Sequence, residues 1–183
     1  VVRFSQNFIG LVATVFLSLA SSPTHATGGM TVLTVAGDAV IPNRPEYLAE
    51  SYGLFAYHEL FFEFGYAFDR QDLMDLGMDE IAVEWSDGPH KLAGPRLTKV
   101  LAAAGVHVQG VLSVHGLDGY SVEVTPEEIA DYNPILALER DKKPLGLGEF
   151  GPVYLIFEPT DDVEKYEELS AKQVYGTFFM AVK

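Results

Sequence analysis

The chain has no cysteine in its 183 residues. That excludes disulfides, thiolate metal sites, iron–sulfur clusters and cysteine nucleophiles together. Basic side chains are scarce: 12 Lys and Arg stand against 26 Asp and Glu, a formal net charge of −14. A nucleic-acid-binding module needs a basic face to displace counterions, and docking on anionic lipid needs basic clusters, so neither class fits. The one long apolar run, Phe8 to Ala20, falls short of the roughly twenty residues that a bilayer requires. Phosphate-cradling and nucleophile motifs are absent as well: there is no P-loop, no G-x-G-x-x-G, no G-x-S-x-G elbow and no S-x-x-K. What is present is 48% hydrophobic residues with 17 Gly and 10 Pro, the turn-rich composition of a compact, strand-dominated domain.

Residues 1–26 read as a secretory signal peptide. Arg3 is their single basic residue, the apolar run follows, and Ser21-Ser22-Pro23-Thr24-His25-Ala26 supplies a polar, helix-breaking stretch that ends in a small residue. A cysteine-free exported chain suits the bacterial periplasm, where a stray thiol would be oxidised. No membrane insertion is expected once the segment is removed.

Residues 28–183 read as one α+β domain of short strands with three or four short helices. β-Branched and apolar Met30–Ala36 predicts a first strand that Gly37-Asp38 turns. Residues 46–58 predict a short helix entered at Pro45, and Leu60–Phe68 an aromatic extended segment. Asp69 is placed to cap a helix with the stripe Leu73, Met74 and Leu76, which Gly77 ends. Ile81–Trp85 predicts a strand and Ser86–Pro89 a turn. Gly94-Pro95 opens a helix in which Leu97, Val100, Leu101 and Ala104 share one face, and Gly105 stops it. Strands are expected within 106–114, over 119–124, at 135–138, at 153–157 and over 174–182. Thr125 and Glu128 are spaced as a capping box.

Possible chemistry is thinly spread. His58, His90, His107 and His115 include no i, i+4 pair of the zinc-binding kind, although His107 and His115 could approach across a hairpin. The acidic residues Asp69, Asp72, Asp75, Asp79 and Glu80 lack the spacing of a calcium loop and read as caps and a solvated face. Nine bulky aromatics between Tyr47 and Phe68 suit a core layer, a pocket lining or an interface.

Several segments, taken in order, resemble the oxidoreductase molybdopterin-binding (sulfite-oxidase-like) domain family, above all its short exported bacterial members. Tyr66-Ala-Phe-Asp-Arg-Gln-Asp-Leu-Met-Asp-Leu resembles the family's strand-to-helix entry. Leu92-Ala-Gly-Pro-Arg-Leu-Thr-Lys-Val-Leu-Ala-Ala-Ala-Gly resembles its x-G-x-x-L-x-x-L-L-x-x-x-G helix. Asp118-Gly119-Tyr120 resembles its D-G-Y strand, and Gly151-Pro152-Val153-Tyr154 onward its G-P-x-R strand. The resemblance implies a β-rich mixed-sheet fold with a pocket able to take a pterin. It does not carry the family's chemistry across. The molybdenum-ligating cysteine has no counterpart in Ala82-Val83-Glu84-Trp85-Ser86, and Tyr154 stands where the pattern has Arg. An acidic chain without that Arg is poorly built for a pterin pyrophosphate.

Two functions follow as expectations. The first is a non-catalytic periplasmic domain that binds a small ligand or a protein partner, without nucleic acid and without a cofactor. Its ligand-facing residues would be His115, Asp118, Tyr120, Tyr132, Arg140 and Lys143, around one pocket. The second is a molybdopterin-dependent oxidoreductase with a non-cysteine metal site, for which Glu84 and His90 are the candidate ligands.

Overall fold

The computed structural model describes residues 29–107 and 109–183; the expected signal peptide, 1–26, lies outside them. In chain order the elements are β1 (Thr31–Ala36), α1 (Leu54–Tyr57), β2 (Gly65–Asp69), α2 (Arg70–Asp75), β3 (Asp79–Trp85) and β4 (Gly88–Gly94). Then come α3 (Leu97–Ala103), β5 (Leu112–Gly116), β6 (Ser121–Val124), α4 (Pro126–Tyr132) and β7 (Ile135–Ala137). The chain continues through β8 (Glu139–Arg140), β9 (Lys143–Pro144), β10 (Tyr154–Ile156), α5 (Val163–Ser170) and β11 (Thr177–Val182). The class is α+β, rich in strands, with short helices.

A five-stranded sheet in the order β2-β1-β11-β5-β6 forms the centre, and it is mixed: β1 and β11 run parallel while the other neighbours are antiparallel. Alternation along β1 decides what each face carries. Leu33 and Val35 enter the main core with Phe68, Leu112, Val114 and Met180, and that core is closed by Leu73, Leu97, Leu101, Ile129 and Leu169 from the helices. Beside it, the β3–β4 hairpin and the β7–β10 pair enclose a second cluster of Ile81, Val83, Leu92, Ile135, Tyr154 and Ile156.

Local signals carry the helices that border the main core. The Asp69 carboxylate accepts from the Asp72 amide at 2.8 Å, and Asp72 accepts from the Asp69 amide at 2.9 Å, a reciprocal box that opens α2. Gly77, at φ 92°, leaves the helix in a conformation that other residues rarely adopt. The predicted face of α3 is fully buried: Leu97, Val100, Leu101 and Ala104 are at most 1% exposed. Thr125 and Glu128 form the predicted box on α4, which ends on left-handed Asn133.

Several elements depart from the sequence reading, among them the short strands β8 and β9 around what was read only as a turn. The helix expected over 46–58 is reduced to the single turn of α1, and Tyr47 is instead in mutual backbone hydrogen bonds with Phe62, at 2.8 and 3.0 Å. Strand β4 occupies the supposed turn and helix entry; it is formed by full-length pairing with β3 rather than by β propensity. Helix α5 was not expected; Asp162 caps it, and Leu169 is its one buried residue.

The aromatic segment covers the outer face of the central sheet. Phe55 and Phe62 pack on each other at 5.5 Å and on Phe179 at 5.6 and 5.7 Å, while Tyr52 and Tyr57 stay exposed. A register shift in β11 between Thr177 and Phe179 accompanies the burial of both Phe178 and Phe179 in this cluster. At the sheet edge, Asn43 bonds the Ala67 backbone in both directions, its amide donating at 3.0 Å and its carbonyl accepting at 2.6 Å. The side chain thus stands in for a neighbouring strand and occupies an edge that would otherwise be open to pairing.

Candidate functional site

The β3–β4 hairpin sets the positions of both candidate metal ligands. Val83 pairs with His90, and Glu84 with Pro89. In an antiparallel pair, directly opposed residues share a face and successive ones alternate. Glu84 therefore lies on the opposite face from His90, exposed, and the two do not converge. Both nitrogens of the His90 ring are already engaged, Nδ1 2.7 Å from Asp141 Oδ2 and Nε2 3.1 Å from Asp87 Oδ1. The bonds to Asp141 and Asp87 raise the imidazole above its ordinary value and hold both carboxylates below theirs. Among the described residues, no group of three or more His, Asp or Glu side chains is arranged to hold a metal ion. The donor set of Glu84 and His90 does not fit a molybdenum site.

His90, Arg140 and Lys143 nevertheless come together around a small cavity of about 210 Å³, with Asp141, Pro144 and Glu149. Positive φ at Asp141 and Lys142 makes the tight β8–β9 turn that brings them there. The Arg140 guanidinium carbon lies 5.7 Å from the Trp85 ring and 5.8 Å from that of Phe150, and Nη2 is 3.7 Å from Glu149. Rings continue behind it, Trp85 to Phe150 at 4.7 Å and Phe150 to Tyr154 at 5.4 Å. Tyr154, at the position where the family pattern has Arg, is buried and its hydroxyl bonds the Gln173 side chain. Burial, with smaller effects from Tyr175 and Tyr166, pushes that phenol far above its ordinary range, so it stays neutral.

The other expected residues lie elsewhere. Asp118 Oδ1 accepts from the Tyr120 amide at 2.9 Å, closing the turn between β5 and β6, and the Tyr120 hydroxyl donates to Ala171 O at 2.6 Å. Tyr132 sits under Lys165, whose Nζ is 5.7 Å from the ring centre. His107 lines a separate cavity with Pro126 and Ile129 rather than meeting His115. The six expected ligand-facing residues do not surround one pocket.

His115 belongs to a cavity of about 490 Å³ on the outer face, whose lining includes Ser113, Phe62, Phe179 and Lys183. Ser113 Oγ and His115 Nε2 are hydrogen-bonded at 2.7 Å. The pair was not singled out from the sequence, although an i, i+2 Ser and His in a strand necessarily share a face. Burial above all, then His58 and Lys183, lowers the His115 imidazole, so it is neutral near pH 7. Among the described residues no carboxylate is bonded to it, and the pair lacks the acidic member that orients the base in a hydrolytic triad.

The acidic run resolves into structural roles. Besides the α2 cap, Asp79 pairs with Arg96 at 3.0 Å and Glu80 with Lys91 at 2.6 Å, and Asp75 accepts from Gln71 at 2.7 Å. No helix among the described residues is long and apolar enough to cross a membrane. No protein-family model matches the chain, and no curated protein is similar enough to it to count as a relative.

Proposed function

We propose that this chain is an exported, periplasmic binding domain on a sulfite-oxidase-like fold, without catalytic activity of its own. The order of family-like segments and the α+β, strand-rich architecture support the fold. One observation carries the function: His90, the candidate nitrogen ligand, has both ring nitrogens taken up by Asp87 and Asp141. With Glu84 on the other face of the hairpin and Tyr154 buried in place of an arginine, the two candidate ligands do not converge and an arginine for an anionic pterin is missing from the matching strand. A fold retained without its site is a scaffold for recognition.

The test is elemental analysis for molybdenum and tungsten, with a pterin fluorescence assay, on protein exported by a cofactor-competent bacterium and purified without chelator. Neither metal nor pterin is expected. About one of each per chain would overturn the proposal and restore a redox enzyme with an unconventional ligand set.

A further inference from the structure

Arg44 stands apart from the other described arginines. Arg70 pairs with Glu139, Arg96 with Asp79 and Glu158, and Arg140 with Glu149. Arg44 is held half-buried on the outer face of the sheet, in a chain where acids outnumber bases two to one, yet among the described residues it has no carboxylate partner. Its guanidinium carbon lies 5.0 Å from the Phe55 ring and 5.2 Å from that of Phe62. Nη1 donates to Thr34 Oγ1 at 2.5 Å, and Nε is enclosed with no hydrogen-bond partner. Burial works against its charge, and Tyr47 offsets that only in part.

Enclosing part of a cation without a counter-ion is costly, and an anionic ligand would supply the missing charge. What lies against Arg44 indicates the rest of that ligand. The guanidinium borders a cavity of about 320 Å³ walled by Leu54, Phe55, Leu117, Leu147, Pro152 and Phe178. That volume is within the range of about 300–1,000 Å³ common for small-molecule sites. Leu54 and Leu147 are exposed at its rim. A second, largely apolar cavity of about 460 Å³ shares Met30, Val32 and Pro152 with it, so the two adjoin as one trough. Asp69 and Arg70 also line that part, but Asp69 is engaged by the Asp72 amide and Arg70 by Leu138 and Glu139, which leaves Arg44, among the described residues, as the trough's cation without a carboxylate.

We propose that this trough binds an amphipathic anion, with an acidic head on the Arg44 guanidinium and an apolar body lying past Leu117 and Pro152 towards Met30. The half-buried guanidinium supplies the charge-assisted bonds, and the walls supply the apolar contact. The inference rests on the binding-domain reading for its biological role but not for its chemistry.

The experiment is titration of the purified full chain with octanoate and, separately, with neutral 1-octanol, for wild type and Arg44→Met, followed by calorimetry and by ¹⁵N NMR of the arginine Nε–H groups. Octanoate should bind one to one, about tenfold or more tighter than octanol. Its addition should shift the Arg44 Nε–H resonance. Arg44→Met should abolish the preference for octanoate over octanol. Equal affinities in the wild type, an unmoved Arg44 resonance, or an octanoate affinity indifferent to Arg44→Met would each overturn the proposal. The wild-type comparison and the resonance decide the matter even if the variant does not fold. A molybdenum-loaded protein that still binds octanoate through Arg44 would sink the non-catalytic reading alone. A metal-free protein blind to octanoate would sink the trough alone.

Discussion

His90 Nδ1 lies 2.7 Å from Oδ2 of Asp141, a residue 51 positions further along the chain. The contact ties the tip of one hairpin to the turn of another, and Asp141 also accepts from the Lys91 amide at 3.0 Å. Its pH dependence follows from opposite shifts. The His90 imidazole is raised from 6.5, so its contribution is complete below that value and fades as pH rises through the folded pKa. Asp141 and Asp87 are lowered from 3.8, so theirs is present above that value and fades as pH falls through the folded pKa. The hairpin tips should therefore be best protected from amide exchange between about pH 4 and 6.5. NMR titration should place His90 above 6.5, and Asp141→Asn should bring it down.

His115 should titrate the other way. Burial, His58 and Lys183 all lower it from 6.5. A group that resists protonation in the folded state makes the protein less stable as pH falls from the unfolded value through the folded one. Its NMR midpoint should lie below 6.5 while that of His90 lies above. Replacement by Gln should remove part of the stability loss on acidification.

The α4 capping box is coupled to a distant lysine. Glu128 bonds the Thr125 amide at 2.9 Å, and Lys172 Nζ lies 2.6 and 2.7 Å from its two oxygens. Burial alone would raise this carboxyl; the Lys172 and Thr125 bonds outweigh it and hold the pKa low. Thr125→Ala should cost about 1 kcal/mol in urea unfolding. Paired with Lys172→Met it should show a non-zero coupling in a double-mutant cycle, since both bear on Glu128: the Thr125 hydroxyl accepts from its amide and Lys172 bonds its carboxylate.

Gly94 tests packing rather than flexibility. A Cβ there would sit 1.9 Å from the Leu136 carbonyl oxygen and 2.8 Å from the Ala137 Cα. No side chain can move aside, because both obstacles are backbone. Gly94→Ala should destabilise by about 1–3 kcal/mol or more, read as a lowered urea midpoint. Leu101→Ala, on the buried face of α3, should cost about 2–5 kcal/mol in the same assay.

How far the sequence announces this structure depends on whether its signals are local. The Asp69 and Thr125 caps and the Leu97-Val100-Leu101-Ala104 stripe involve residues within two turns of one another, and they were legible. Strand β4 was not, since Gly88, Pro89 and Gly94 disguise an element that owes its existence to its partner β3. Gly94 was legible as a helix entry, while the backbone it must admit lies 42 positions away at Leu136. Helix α5 is the exception, missed although its signals are local: Asp162 caps it and Val163, Tyr166 and Leu169 recur on one side, in a segment of which Leu169 alone is buried. The candidate sites are non-local in the same sense. The meeting of His90 with Asp141 and Arg140 follows from the edge-to-edge pairing of two hairpins, β4 against β8, and the isolation of Arg44 follows from where the carboxylates of the described residues end up.

The parallel pairing of Thr34 with Phe179 and of Val35 with Met180 sets a schedule for assembly. The middle of the central sheet joins residues about as far apart in the chain as the described segment allows. Strand β1 therefore lacks one neighbour, and β5 one of its two, until residues 177–182 arrive. A ribosome-bound or partly translocated chain stopped short of that point has no complete sheet to settle into. Closure by so distant a contact slows folding. A polypeptide of this topology keeps the middle of its sheet open until residues 177–182 are delivered.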